Sequence, residues 1–158
     1  AHRKDLLAKL LAEFGKLESL SAAASRALWR PIRDVAPFAA GGQLGEYHVW
    51  RISTAPARGV EVGRKLTEAA GAEVFYDWAG GLVWAALPPA DDVGATIVRA
   101  IVGTAGGHAT LIRAPAAVRA KVDVFEPQNR ALDALTKRVR EGFDPRGILN
   151  AGRMWAGV

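Results

Sequence analysis

Between Tyr47 and Ala114 the apolar residues switch repeatedly between a period of two and a helical period, and the order of those switches restricts the fold more than any other feature. "YHVWRIST" (47–54) is aromatic and β-branched and reads as a strand. "PARGVEVGRKLTEAAG" then puts Val62, Leu66 and Ala69 on one helical face, with Gly71 as the stop. "EVFYDW" (73–78) and "LVWAAL" (82–87) are short strands joined through "AGG", a hairpin signal. "DDVGATIVRAIVGTAGG" predicts a helix capped by Asp91 or Asp92, with Val93, Ile97, Ala100 and Ile101 at helical spacing and Gly106 and Gly107 at its end. "HATLIRA" (108–114) is a fourth strand. Strand, helix, strand, strand, helix, strand is the split βαβ, ferredoxin-like order. The expected class is therefore α+β. Two crossover helices should cover one face of a four-stranded antiparallel sheet and leave the other to be covered by something else.

The flanks are helical in pattern. Leu6, Leu7, Leu10, Leu11, Phe14 and Leu17 recur at three- and four-residue spacings, which predicts a helix over 3–19. A second starts at Ser21 or Ser25, passes Leu28, Trp29 and Pro31, and runs towards Val35, before the Gly- and Pro-rich loop "APFAAGGQLGE" (36–46). "PQNRALDALTKRVREGFDP" predicts a last helix with Leu132, Leu135 and Val139 inward, stopped by Gly142 and Pro145. At 158 residues the chain has the size of one domain. It divides into N-terminal helices and loop (1–46), a ferredoxin-like core (47–114), and a C-terminal helix and tail (115–158). The end helices are expected to pack around the rim of the sheet.

Several chemistries are excluded or disfavoured. The chain has no cysteine, so thiolate catalysis, disulfides and iron–sulfur ligation by its own residues are ruled out. The net charge is +5, but the arginines are scattered and only "TKRVRE" (136–141) is dense. A nucleic-acid footprint would need a basic stripe with interleaved aromatics, so no nucleic-acid partner is expected. The histidines are His2, His48 and His108, with no carboxylate at a ligand-like spacing, and no metal site is expected. The sequence lacks a G-x-G-x-x-G or Walker loop, H-E-x-x-H and a G-x-S-x-G elbow. No apolar run approaches the length of a membrane span, and the N-terminal stretch is amphipathic rather than signal-like.

Strand alternation sorts the sheet residues into two sets. His48, Trp50, Ile52, Val74, Tyr76, Trp78, Val83, Ala85, Leu87, Ala109 and Leu111 are expected under the helices. Tyr47, Arg51, Ser53, Phe75, Asp77, Leu82, Trp84, His108, Thr110 and Ile112 are expected on the open face. The substrate-facing candidates are Arg51, Asp77, Trp84, His108 and Thr110. Arg51 has the fork geometry to clamp a carboxylate and His108 the chemistry to take a proton. The competing reading pairs Arg51 with Asp77 across strands, makes His108 a strand cap, and leaves Trp84 and Phe75 to packing. No catalytic base is identified.

Near the end of the sequence stands "FDPRGILNAGRM" (143–154), and this stretch resembles the ending of FAD-linked oxidases of the vanillyl-alcohol oxidase type, which often close on F-D-P-x-G-I-L-N-P-G-R/K-M. Ala151 stands where a proline is usual. "WRISTAP" (50–56), "YDWAGGLVW" (76–84) and "GGHATLIRAP" (106–115) are similar to motifs in the FAD-binding subunits of bacterial glycolate oxidases. The resemblance spans roughly residues 27–158. It implies a substrate-cap domain over a flavin ring, and oxidation of a 2-hydroxy acid (glycolate to glyoxylate), with a D-lactate or alditol enzyme as the alternative. FAD itself would be held by an N-terminal domain that this chain does not contain, so the chain is expected to be the cap and tail of a longer subunit, inactive alone. Asn150 and Arg153 would return to the flavin domain. A companion flavin subunit and an iron–sulfur subunit are the implied partners, in a cytoplasmic complex or one attached peripherally to the inner face of the membrane. Without the resemblance, the residues fit a stand-alone ferredoxin-like module that binds a small ligand or a protein.

Overall fold

A computed structural model of the chain describes residues 2–152 and 154. Four strands, β1 (His48–Ser53), β2 (Glu73–Asp77), β3 (Leu82–Leu87) and β4 (His108–Arg113), form an antiparallel sheet in the order β2-β3-β1-β4. Helices α1 (His2–Leu11) and α2 (Ala22–Arg33) precede the sheet, and α3 (Pro56–Ala70) and α4 (Ala95–Ala105) are its crossovers. A single turn, α5 (Ala116–Arg119), and α6 (Arg130–Phe143) follow it. This is the expected ferredoxin-like α+β arrangement, reached because α3 packs over β2 and β3 and α4 over β4, covering the apolar face of the sheet.

Register fixes the faces. Trp50 lies opposite Ala85 and Leu111, and Ile52 opposite Val83 and Ala109. These residues are fully buried with Val62 and Leu66 of α3 and Val98 and Val102 of α4. The inward stripe of α4 is thus 98 and 102, joined by Val93 before the helix, while Ile97 and Ile101 are half-buried and Ala100 is exposed. On α3, Gly59 and Gly63 replace Ala69 in the buried face, since the helix sits close enough to the sheet to exclude a side chain there. His48 is buried as expected. Its Nε2 accepts from the Ala90 amide at 3.2 Å, so Nδ1 carries the proton, and Nδ1 has no partner among the described residues.

Two arginines missed as structural residues tie the loops to this core. Arg99 donates to the carbonyls of Ala109, Asp123 and Phe125 and to the Glu126 carboxylate, and it lies over the Trp50 ring at 5.1 Å. Glu126 in turn accepts from the Ala109 amide at 2.9 Å, and Leu111 donates to Val124 at 2.8 Å, so residues 122–126 run alongside β4. Arg113 donates to the carbonyls of Phe38, Tyr47 and Leu44. That contact draws residues 35–47 over one end of the open sheet face, where Phe38 buries itself on Val49 and Ala86. The face is therefore partly covered by the chain itself.

The end helices depart most from expectation. The first helical stretch stops at Leu11, with a 3-10 turn to Phe14 and Gly15 at φ 138°, short of the expected residue 19. Ser21 caps α2 by accepting from Ala24 at 3.2 Å, and Asn129 caps α6 by accepting from Leu132 at 3.0 Å. Yet α1, α2 and α6 contain no buried residue. Leu132, Leu135 and Val139 do not point into a core as expected: each stays about half exposed, lining only shallow grooves with the start of β4 and with the tail. The helices do not close the rim.

Arg99→Ala takes the guanidinium away from the Ala109, Asp123 and Phe125 carbonyls and from the Glu126 carboxylate. It should lower unfolding stability by about 2–4 kcal/mol in urea titration. A loss under 0.5 kcal/mol would show that water replaces the guanidinium without cost.

Candidate functional site

The open face is arranged in cross-strand rows. Phe75, Trp84, Arg51 and Thr110 stand side by side from β2 to β4, and Asp77, Leu82, Ser53 and His108 form the next row. Arg51, Trp84 and Thr110 are therefore brought together, as alternation predicts. Asp77 and His108 are not, because three inter-strand steps separate them by roughly 14 Å. An acid–base pair between those two is out of reach.

Arg51 is half-buried and forms no ion pair among the described residues. The cross-strand pair with Asp77 does not form. Instead the Asp77 carboxylate accepts from the Trp78 amide at 2.7 Å, and Arg51 lies over the Trp78 ring, 5.3 Å from its centroid. Trp78 was expected under the helices, and this is the main correction to the site. Strand alternation ends at Asp77, and Trp78 and Ala79 take left-handed backbone angles (φ 51° and 53°), which turns the indole out of the strand pattern and beside Arg51. Left-handed angles cost L residues roughly 1–2 kcal/mol each, so something must hold them. Gly81 donates to the Trp78 carbonyl and accepts from Thr54, both at 3.0 Å. From the side, a Cβ added to Gly59 of α3 would run into the Gly80 carbonyl, and one on Gly80 would lie 2.7 Å from the Pro56 carbonyl. The turn is wedged against the start of α3.

Trp84 is half-buried between Phe75 and Arg51 and also touches the Phe38 cluster, so it packs and lines the face at once. His108 is exposed at the start of β4, opposite Ser53, and lines a groove with Thr110, Phe125, Gln128, Asn129 and Leu132. That groove joins the open face to the start of α6. Among the described residues no cluster of His, Asp and Glu has the composition of a metal site.

The tail builds a second arrangement. Asp144 is buried, and its carboxylate accepts from the amides of Leu149 (2.7 Å) and Ile148 (3.1 Å), while its carbonyl accepts from Gly147 at 3.0 Å. The Leu149 amide holds its carboxyl below the ordinary value near 3.8, assisted by Ile148, the charge of Arg140 and Gly147, against the opposing effect of burial. Asn150, left-handed at φ 50°, lines an apolar groove with Leu135, Val139, Leu149 and Met154, apart from the sheet face. Arg153, the other tail residue expected near a flavin, lies outside the described residues.

Among the described residues no glycine pair forms a cradle for the FAD diphosphate. The glycine pairs 80–81 and 106–107 each lead into a strand, and 41–42 leads into further turns, so none opens a helix N-terminus where a diphosphate would sit. Gly80 is packed on Pro56, and Gly107 on the Ser53 carbonyl. Of the residues sequence reasoning missed, Trp78 carried no local signal, whereas Arg99 is a lone charge inside the apolar run "ATIVRAIVGTA" and Asp144 stands between a helix stop and glycine, a capping context. Comparison with protein-family models, with curated proteins and with solved structures finds no match.

Two outcomes follow for these turns. Gly59→Ala forces the wedge apart and should cost about 2–4 kcal/mol in urea unfolding, whereas Ala79→Gly relieves a left-handed residue and should be neutral or stabilising by up to about 1 kcal/mol. If Gly59→Ala unfolds like the parent, the wedge is not what holds the turn. Because the Asp144 carboxyl is lowered in the fold, its contribution is complete above its unfolded value and is lost as pH falls through the folded one. Hydrogen exchange of the Ile148 and Leu149 amides, corrected for intrinsic rate, should accelerate below about pH 4 and be fast at neutral pH in Asp144→Ala.

Proposed function

We propose that this chain is the substrate cap and C-terminal tail of a FAD-dependent 2-hydroxy-acid oxidase or dehydrogenase subunit, of the glycolate oxidase kind, and that it is inactive until joined to a flavin-binding domain. The observation that carries this reading is the apolar stripe on α6. Leu132, Leu135 and Val139 are about half exposed, Phe143 is 86% exposed, and Ile148 and Leu149 continue the stripe into the tail. Single exposed apolar residues are ordinary, but a whole amphipathic face with an ordered turn beside it fits a surface made to be covered. The resemblance supplies the cover, a flavin-binding domain. Its motifs also include the two turns the chain builds with most constraint, at Trp78–Gly81 and at Asp144–Leu149.

In this reading the open sheet face meets the substrate. Arg51 offers a guanidinium with no acid partner to the carboxylate, with Trp84 and Phe75 beside it and Thr110 at its other side. Redox chemistry belongs to the flavin and to the domain that holds it, and no step of it is assigned to this chain. A companion flavin subunit and an iron–sulfur subunit complete the proposed assembly. Among the described residues no helix is long and apolar enough to cross a membrane, and a cytoplasmic complex, peripheral at the inner membrane face through its partners, is the proposed setting. The second reading, a stand-alone ferredoxin-like module, rests on Arg51 alone, because a free small-ligand site does not require the stripe on α6.

Production with and without a flavin-binding domain separates the two. Alone, the chain should be colourless after incubation with FAD and desalting. Fused behind such a domain, or co-produced with it, it should give a yellow species, and Leu135→Glu with Phe143→Glu should abolish that association without lowering the Tm of the isolated chain. Stoichiometric FAD on the isolated chain, or normal assembly of the double variant, would overturn the proposal.

A further inference from the structure

The packing of Gly80 and the hydrogen bonds of Gly81 hold the Trp78 turn in place, but they do not bury the indole it carries. Two consecutive non-glycine residues are left-handed, and the indole they deliver remains 59% exposed. Burial of the ring therefore does not repay the strain. What the conformation achieves is the contact with Arg51. A guanidinium has two kinds of surface: flat faces that stack on aromatic rings, and an in-plane fork of N–H groups that matches a carboxylate. The Trp78 ring centre lies 5.3 Å from the guanidinium carbon, and the guanidinium nitrogens make no hydrogen bond among the described residues. Asp77, on the same face, is engaged by the Trp78 amide, and neither it nor Glu73 pairs with Arg51 among the described residues.

The other stacked arginine sharpens the contrast. Arg99 also lies over a tryptophan, but its fork is spent on three carbonyls and Glu126. Arg51 also lies against a tryptophan, and its fork has no hydrogen-bond partner among the described residues. Beside it stand the Thr110 and Ser53 hydroxyls on neighbouring positions of β4 and β1, and the Trp84 ring on β3.

We propose that Trp78 is the positioning and specificity residue of a small-carboxylate site centred on Arg51. Its ring holds the guanidinium so that the fork faces the open sheet, and its bulk, with that of Trp84, limits the site to short acids. The inference deepens the proposed function by naming what selects the ligand, and it rests on that reading only for the identity of the acid.

The test is calorimetric or NMR titration of the chain with glycolate and with 2-hydroxyoctanoate, in parent, Trp78→Ala, Trp78→Phe and Arg51→Lys forms. Parent should bind glycolate saturably and prefer it to the long acid. Trp78→Ala should weaken glycolate binding about three- to fivefold and erase the preference, and Trp78→Phe should restore most of both. Arg51→Lys should weaken binding about tenfold, because a point charge cannot replace a bidentate fork. No saturable binding by the parent, or unchanged affinity and preference in Trp78→Ala, overturns the inference. The two proposals fail separately. Glycolate binding by a chain that never associates with a flavin domain sinks the cap reading alone. A flavin-joined subunit that oxidises glycolate with unchanged KM and unchanged chain-length preference in Trp78→Ala sinks this one alone.

Discussion

The stack of Arg99 on Trp50 is the contact on which the rest of the structure hangs. Trp50 lies on a central strand, fully buried, with its indole donating to the Val93 carbonyl at 2.9 Å. It thereby fixes the entry to α4, and α4 places Arg99 where one guanidinium gathers the carbonyls of β4 and of residues 123–125. A buried ring, a helix entry, a strand and a loop are joined through two side chains. Removing Trp50 leaves the buried Val93 carbonyl without its indole donor, and removing Arg99 takes one donor from each of several partly buried acceptors.

Three arginines near the sheet show how one side-chain type serves different ends. Arg99 and Arg113 are saturated by backbone carbonyls and act as loop clamps. Arg51 stands on the open face without an acid partner and stacks on a tryptophan that a strained turn presents to it. The difference lies in the neighbours. Beside Arg99 and Arg113 irregular backbone needs donors, and beside Arg51 the backbone is already paired in the sheet.

The two ends of the chain share another property. α2 and α6 form there with side-chain N-caps from Ser21 and Asn129, yet their apolar faces, like that of α1, bury no residue among the described elements. The tail is not loose for lack of instruction, since Asp144 gathers the amides of the residues that follow it and folds them back towards α6. Local order and uncovered apolar surface thus stand together at the end of the described chain.

Much of this was legible in the residue order. Periods of two and 3.6 are local properties, so the strand and helix sequence, the antiparallel ferredoxin-like topology, and the shared face of Arg51, Trp84 and Thr110 follow from short-range pattern alone. The side of the sheet on which Trp78 falls does not follow, because alternation stops where the backbone turns left-handed and that turn is set by Gly59, distant in sequence. Nor does alternation report how far apart Asp77 and His108 lie, since that depends on strand order across the sheet. The partners of Arg99 come from a loop far along the chain. Amphipathicity announces that α6 has a face to cover, and its spacing cannot say by what. Sequence determined which groups share a face, because that is local geometry. Tertiary structure alone decided which of them meet, because meeting depends on contacts between residues remote in the chain.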